Sequence, residues 1–215
     1  MPNISTWTNV KVFMSDVPAA AVPATGISKA AEAVVSTGST TGLSNGDFVL
    51  LNAQGMQQVN GRVFRIKGLV ANASFILEAE DSTDYDSFSS GSWQKVAFNN
   101  TLSTLTTVSA SGGEPNMIDT TTIHDNQKSE IPGFASSTSY SFDSILDYAD
   151  AGLIAANKVT KNKAQRAIQL KFSNGQRTVF YGYVFAPLTA GGSTGGVVTT
   201  KVSLSAQGAQ TNYPN

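Results

Sequence analysis

The chain has 215 residues, of which 40% are hydrophobic and only 13% charged, with a net charge of −1. That is enough apolar material for a folded core and excludes a disordered chain, while the near-zero charge by itself argues neither for nor against a nucleic-acid partner. Cysteine is absent, so disulfide and thiol chemistry are excluded as well. The charge is unevenly divided. All 15 acidic residues and seven of the 14 basic ones precede Ala151, a net of −8, whereas the remainder holds seven bases and no acid. Either the two parts neutralise one another within a subunit, or they form opposite faces suited to head-to-tail stacking of identical copies. The opening "MPNISTWTNV" has neither the basic nor the apolar stretch of a secretion signal, and the longest apolar run, Val179–Leu188, is too short to span a bilayer. A soluble protein made in the cytosol is expected.

In chain order, Val10–Met14 reads as the first strand. The region 29–96 reads as a small β module inserted after it. Three short strands are expected there, Phe48–Leu51, Val63–Ile66 and Ser74–Leu77, with turns at Asn45-Gly46 and Asn60-Gly61. Its acidic run (Glu78, Glu80, Asp81, Asp84, Asp86) lacks both the spacing and the turn glycine of a calcium loop, so a solvated acidic face is expected rather than a metal site.

Next comes "TTTIHDNQKSEIPGF", a Thr-rich strand running into a polar loop closed by Pro132-Gly133. "SYSFDSILD" is a further strand with Tyr140, Phe142 and Leu146 in phase. "DYADAGLIAANKV" is the only stretch that reads as a helix, with Asp147 as its N-cap, Asp150 three residues on and Gly152 against it. Ala151, Ile154, Ala155 and Lys158 share one face of it. In "KFSNGQRTVFYGYVF", Asn174-Gly175 joins two strands as a hairpin. The first strand alternates as a half-buried strand should, and the second is apolar on both faces, so it is expected to be covered on both sides. A Gly-rich loop, "AGGSTGG", leads to a last strand, "VVTTKVSLSAQ", with Val198, Val202 and Leu204 on one face.

Three stretches invite a chemical reading. The only histidine, His124, is followed by Asp125, Ser129 and Glu130. Adjacent residues of an extended chain point to opposite faces, so Asp125 is poorly placed to orient the imidazole, and no G-x-S-x-G nucleophile turn occurs. One histidine without cysteine would leave zinc to carboxylates alone. The Gly-rich loop lacks the Lys-Ser/Thr ending of a phosphate loop and precedes a strand, not a helix. The basic stretch Lys158–Lys171 has few interleaved aromatics, which argues for a solvated face or an acidic neighbouring subunit over nucleic acid. No catalytic, cofactor or metal site is expected.

The segment from Thr120 onward resembles the major tail tube proteins of long-tailed, lambda-like phages. Four pieces carry the resemblance in order: "TTTIHDNQKSEIPGF", "TSYSFDSILDYADAGLIAANK", "IQLKFSNGQRTVFYGYVF" and "VVTTKVSLSAQG", with "NVKVFMSDV" matching the family's first strand. The inserted module resembles a β module of other phage structural proteins through "NGDFVLL", "GMQQVNGRVFRI" and "DSTDYDSFSSG". The simplest tube proteins lack such an insert, and the decorating domain that some relatives carry at the C-terminus is not expected here.

The resemblance implies a mainly β fold: a β-sandwich or barrel-type tail tube domain (1–28 and 97–215) with one short flanking α-helix, and the small β module (29–96) on the outer surface. It implies a non-enzymatic virion protein without cofactors. Copies would close into hexameric rings that stack helically into a tube, through which genomic DNA passes during ejection without sequence-specific binding. The partners implied are the tape-measure, tail terminator and baseplate proteins, and no membrane. Thr122, Ile123, His124, Asp125, Asn126, Gln127, Lys128, Ser129, Glu130, Ile131, Pro132 and Gly133 would form an inter-subunit loop. Lys158, Lys161 and Lys163 are expected as basic stacking contacts. Two rivals stay open: another tail component such as a baseplate hub or tail terminator, and a carbohydrate-binding β-sandwich adhesin, against which Trp7 and Trp93 stand far apart in sequence.

Overall fold

A computed structural model of the chain describes Ile4 and residues 6–214. The fold is mainly β with one α-helix. Strand β1 (Lys11–Met14) belongs to a large sheet, and the chain then leaves that sheet to build a separate barrel. The barrel comprises β2 (Val22–Ile27), β3 (Val34–Thr37), β4 (Phe48–Gln54), β5 (Val63–Val70), β6 (Ser74–Leu77) and β7 (Ser90–Val96), closed in the order β2-β3-β6-β5-β4-β7. It starts at Val22, ahead of the expected boundary at 29. Strand β6 has the expected bounds, whereas β4 and β5 run further than expected.

The apolar run of β4 follows from burial on two sides. Val49 and Leu51 face the barrel interior with Phe64, Ile66, Phe75 and Trp93, while Phe48 and Leu50 face outward into a second cluster against the large sheet. Trp93 donates its indole N–H to Thr37 Oγ1 at 3.1 Å, which in turn donates to the Pro23 carbonyl at 2.8 Å, so the buried polar atoms are satisfied. The acidic run divides: Asp81, Asp84 and Asp86 are exposed, as a solvated face requires, and the two glutamates are not. Glu80 is buried and ion-paired with Arg62, and Glu78 pairs with Arg65 at 2.5 Å. Buried carboxylates need such partners, and two arginines on β5 and its approach supply them.

After the barrel, β8 (Asn100–Leu102) pairs with β1, and β9 (Leu105–Ser111) follows two residues later. Strands β10 (Pro115–Asp119) and β11 (Glu130–Ala135) pair only with each other as a two-stranded hairpin. The chain returns to the large sheet as β12 (Ser139–Ile145), crosses it as α1 (Ala151–Lys161), and finishes with β13 (Gln165–Lys171), β14 (Arg177–Phe185), β15 (Thr199–Ala206) and β16 (Thr211–Tyr213). The sheet order is β8-β1-β13-β14-β15-β12-β9, with β16 added to β14. Its core holds Val12, Phe142, Leu153, Ile168, Phe180 and Val202.

Two local expectations are corrected. The helix cap is Asp150, whose Oδ1 accepts from the Leu153 N–H at 2.7 Å; Asp147 accepts from Ala149 N–H at 2.8 Å and closes the turn before it. Gly152 is a close-approach residue: a Cβ there would lie 2.0 Å from the Thr101 carbonyl oxygen, so glycine lets the helix sit on β8. Strand β13 is buried on both faces, not one. Its Ile168 and Leu170 enter the sheet core, and its Ala167 packs under the barrel.

That second contact joins the two bodies. Phe48, Leu50, Val63 and Val96 of the barrel meet Ala167, Val179 and Tyr213 of the sheet. Tyr213 is 1% exposed, its hydroxyl accepts from the Arg65 N–H at 2.7 Å, and the Arg65 guanidinium lies 4.7 Å from its ring centroid. Burial holds the Tyr213 phenol well above the usual tyrosine range.

Candidate assembly interface

Closure leaves the barrel with no edge strand, but among the described residues the large sheet ends in β8 and β9, beside the short β16 that pairs with β14 alone. Only Ser103 and Thr104 separate β8 from β9 in sequence, so the sheet curls until these two edges face one another. Between them runs a cleft of about 350 Å³, floored by the core residues Val12, Leu102 and Phe142 and walled by Trp7, Leu105 and Val108. Among the described residues, no strand pairs with the outer edge of β9.

From the far end of β9 the β10–β11 hairpin continues as an arm. Gly112 and Gly113 both take positive φ, +88° and +87°, and a Cβ on Gly112 would lie 2.2 Å from the Ser137 carbonyl oxygen. Hydrogen bonds from Gly113 N–H to Ser136 O and from Ser136 N–H to Glu114 O, both 3.0 Å, carry the β9–β12 pairing into the arm. Every residue of both arm strands is exposed except the half-buried Gly133. Met117, Ile118 and Ile131 are each about half exposed, and Phe134 is 95% exposed.

The expected Thr-rich strand and Pro-Gly stop are both displaced. Thr120, Thr121 and Thr122 lie in the tip loop, and the strand before it is Pro115–Asp119. Pro132 and Gly133 lie inside β11, with Pro132 opposite Met117 at an irregular register. A hairpin with two free edges tolerates a proline that a central strand would not. Thr122–Ser129 thus complete the tip loop that begins at Thr120, and Glu130, Ile131, Pro132 and Gly133 belong to the strand.

At the tip, the polar residues serve the turn. Asp125 Oδ2 accepts from the Thr122 N–H at 2.7 Å and from its hydroxyl at 2.9 Å, and these bonds hold its carboxyl below the usual aspartate range. Ser129 closes the loop: its carbonyl accepts from Thr120 N–H at 2.9 Å, and its N–H donates to Thr121 Oγ1 at 3.0 Å. Lys128 pairs with Glu130 at 2.5 Å. His124 is exposed, and its N–H donates to Thr122 Oγ1 at 3.4 Å. Of the residues that invited a catalytic reading, Asp125 and Ser129 are thus engaged with threonines and Glu130 with Lys128.

The three lysines lie at the C-terminal end of α1. Lys158 and Lys161 occupy the last turn of α1, where cations suit the helix dipole. Lys163 follows the Asn162 cap with φ +50°, its N–H bonded to Thr160 O at 3.1 Å, so the helix stop itself sets its position. Lys158 lines a groove with Arg166 and Asp16. None of the three lysines forms an ion pair among the described residues. Trp7 and Trp93 do not meet: Trp93 is barrel core, and Trp7 packs on Phe172 at 5.6 Å.

The residues that sequence reasoning missed are Met117, Ile118 and Phe134. Their signal was a run of apolar residues on either side of a polar loop, in strands too short to show alternation.

Taken together, this is a mainly β subunit that satisfies one body internally and leaves strand edges and apolar side chains unpartnered on the other. The family comparison agrees with that class. The chain belongs to the phage tail tube protein family: the sequence model described as "Phage tail tube protein, TTP" matches residues 54–215. The match runs from the last residue of β4 through all later elements. Membership makes this a structural phage protein of the virion tail. No curated protein matches the chain. Among the described residues, no helix is long and apolar enough to cross a membrane.

Proposed function

We propose that the chain is the repeating subunit of the tail tube, that copies close into hexameric rings, and that the rings stack into a helical tube conducting genomic DNA during ejection. The observation that carries this reading is the arm: a two-stranded hairpin with Phe134 and three further apolar residues exposed. A hairpin of that size is marginal alone in water, so it gains its order from a neighbouring surface. On this reading residues 122–133 act between subunits. Heterologous contacts that close give the ring, and those that do not close give the filament.

The charge division supports stacking in the same sense. Lys158, Lys161 and Lys163 form no ion pair among the described residues, while the arm carries Glu114, Asp119, Asp125 and Glu130 against Lys128. The barrel has no strand edge to offer, which suits an outward decorating position. Made in the host cytoplasm, the subunit would assemble with tape-measure, tail terminator and baseplate proteins.

Electron microscopy of the purified protein tests the reading. Long hollow filaments are expected. Single rings that never extend would assign the chain to a hub or terminator, and a monomer at all concentrations would reject assembly altogether. Charge reversal of Lys158 and Lys161 to glutamate is expected to weaken polymerisation without changing the monomer's unfolding midpoint.

A further inference from the structure

Resting on the tube reading, we propose that the open seam between β8 and β9 is the receptor for the arm of a second copy. That copy's β11 lies along the free edge of β9 as an added strand, and its Phe134 enters the seam cleft. The structure holds both the receptor and its occupant. The edge of β9 is seven residues long and unpaired, and β11 is six residues long with a free outer edge of its own. Strand addition supplies main-chain hydrogen bonds along that length except at Pro132, which has no N–H to donate, and a pocket for a protruding side chain supplies specificity.

The cleft matches what the arm lacks. Its floor of Val12, Leu102 and Phe142 belongs to the sheet core, so an entering ring would complete that core. Phe134, at 95% exposure, is the large side chain of the arm with least to pack against in its own subunit, apart from Ile123 at the tip. An aromatic ring contributes its stabilisation through burial, and about 350 Å³ of cleft is room for one. Charge agrees in sign. The only charged residue lining the cleft is Lys11, and the arm carries four acids against one base.

A subunit's own arm cannot serve. It leaves from the far end of β9 and is held in line with β9 and β12 by the Gly113–Ser136 and Ser136–Glu114 hydrogen bonds. Reaching its own seam would require breaking that pairing and reversing the chain. The occupant is therefore another copy, and the contact is heterologous: arm to seam, with a free seam and a free arm left at the two ends.

The cysteine-free chain makes the test direct. Ala135→Cys beside Phe134 and Thr106→Cys on the seam wall are both exposed positions that spare the proposed anchor. Copies carrying one or the other are mixed, assembled and oxidised. A disulfide joining the two variants is expected in assembled material and not in monomer, since the bridge requires Cα atoms within about 7 Å. The doubly substituted chain, kept monomeric, is expected to form no internal disulfide. Filaments that form without the Ala135–Thr106 link, but that link Ala135→Cys to Lys158→Cys, overturn the seam as receptor and leave the tube reading standing. Failure of the wild-type protein to form filaments overturns the tube reading, and the seam proposal with it.

Discussion

The barrel and the arm are made from the same unit, the antiparallel hairpin, and they end in opposite conditions. In the barrel, five pairings and the β2–β7 contact close six strands on themselves, so each strand has two neighbours and the interior is mostly apolar. In the arm, one hairpin stands alone with nearly every residue exposed. The difference lies in what each sequence can bury. The barrel strands alternate Val49, Leu51, Phe64, Ile66, Phe75 and Leu77 inward, whereas the arm has isolated apolar residues and no third strand. On the proposed reading, the body that completes itself decorates the tube, and the one that does not takes part in assembly.

That contrast can be broken first at the barrel. Phe64 is fully buried, and Phe64→Ala removes a ring that the closed wall cannot collapse to replace. A loss of about 3–5 kcal/mol in urea unfolding of the monomer is expected. A loss well under 1 kcal/mol would mean that the barrel is not an independently packed core.

The boundary between the bodies should give a smaller effect. Tyr213→Phe keeps the ring packed against Phe48, at 6.1 Å between centroids, but deprives the Arg65 N–H of its acceptor. Leaving that donor without a partner costs about 1–3 kcal/mol. Unfolding followed separately by Trp93 fluorescence and by circular dichroism would show whether the barrel then melts ahead of the sheet. Coincident transitions with an unchanged midpoint would deny Tyr213 its role as the joint.

The sequence was most informative where local chemistry decides structure. Asn174-Gly175 marked the β13–β14 hairpin, the Gly175 φ of +89° being the conformation such turns need. The helix was legible, but its cap was misplaced because Asp147 and Asp150 are both good caps and only the turn between them decides. Three of six barrel strands were missed. In β2 a proline and a glycine, and in β7 the small polar residues of "SGSWQKV", hide strands that exist because a closed barrel pairs their backbones. The two-sided burial of β13 was invisible for a related reason, since Ala167 is covered by the barrel, a partner distant in sequence. The arm's tip was found through its polar residues, but its strands were not. Pro132-Gly133 reads as a stop in any chain, and it becomes part of a strand here because a lone hairpin leaves the proline nitrogen on an open edge.

The arm itself should give no stability effect at all, and that null is the sharpest part of the comparison. Phe134→Ser removes the most exposed aromatic of the arm, which in the free subunit packs against almost nothing. Monomer unfolding is expected to stay within about 0.5 kcal/mol of the parent, as for surface substitutions generally. A buried anchor in an assembled interface behaves otherwise, because its ring is withdrawn from water only when a second copy is present. The same substitution is therefore expected to raise the concentration needed for filament formation at least tenfold, read by light scattering or sedimentation. A monomer destabilised by more than 1 kcal/mol would show that Phe134 already packs within its own subunit, and unchanged polymerisation would show that Phe134 takes no part in assembly. Either result would erase the distinction between a body that completes itself and one completed by its neighbour.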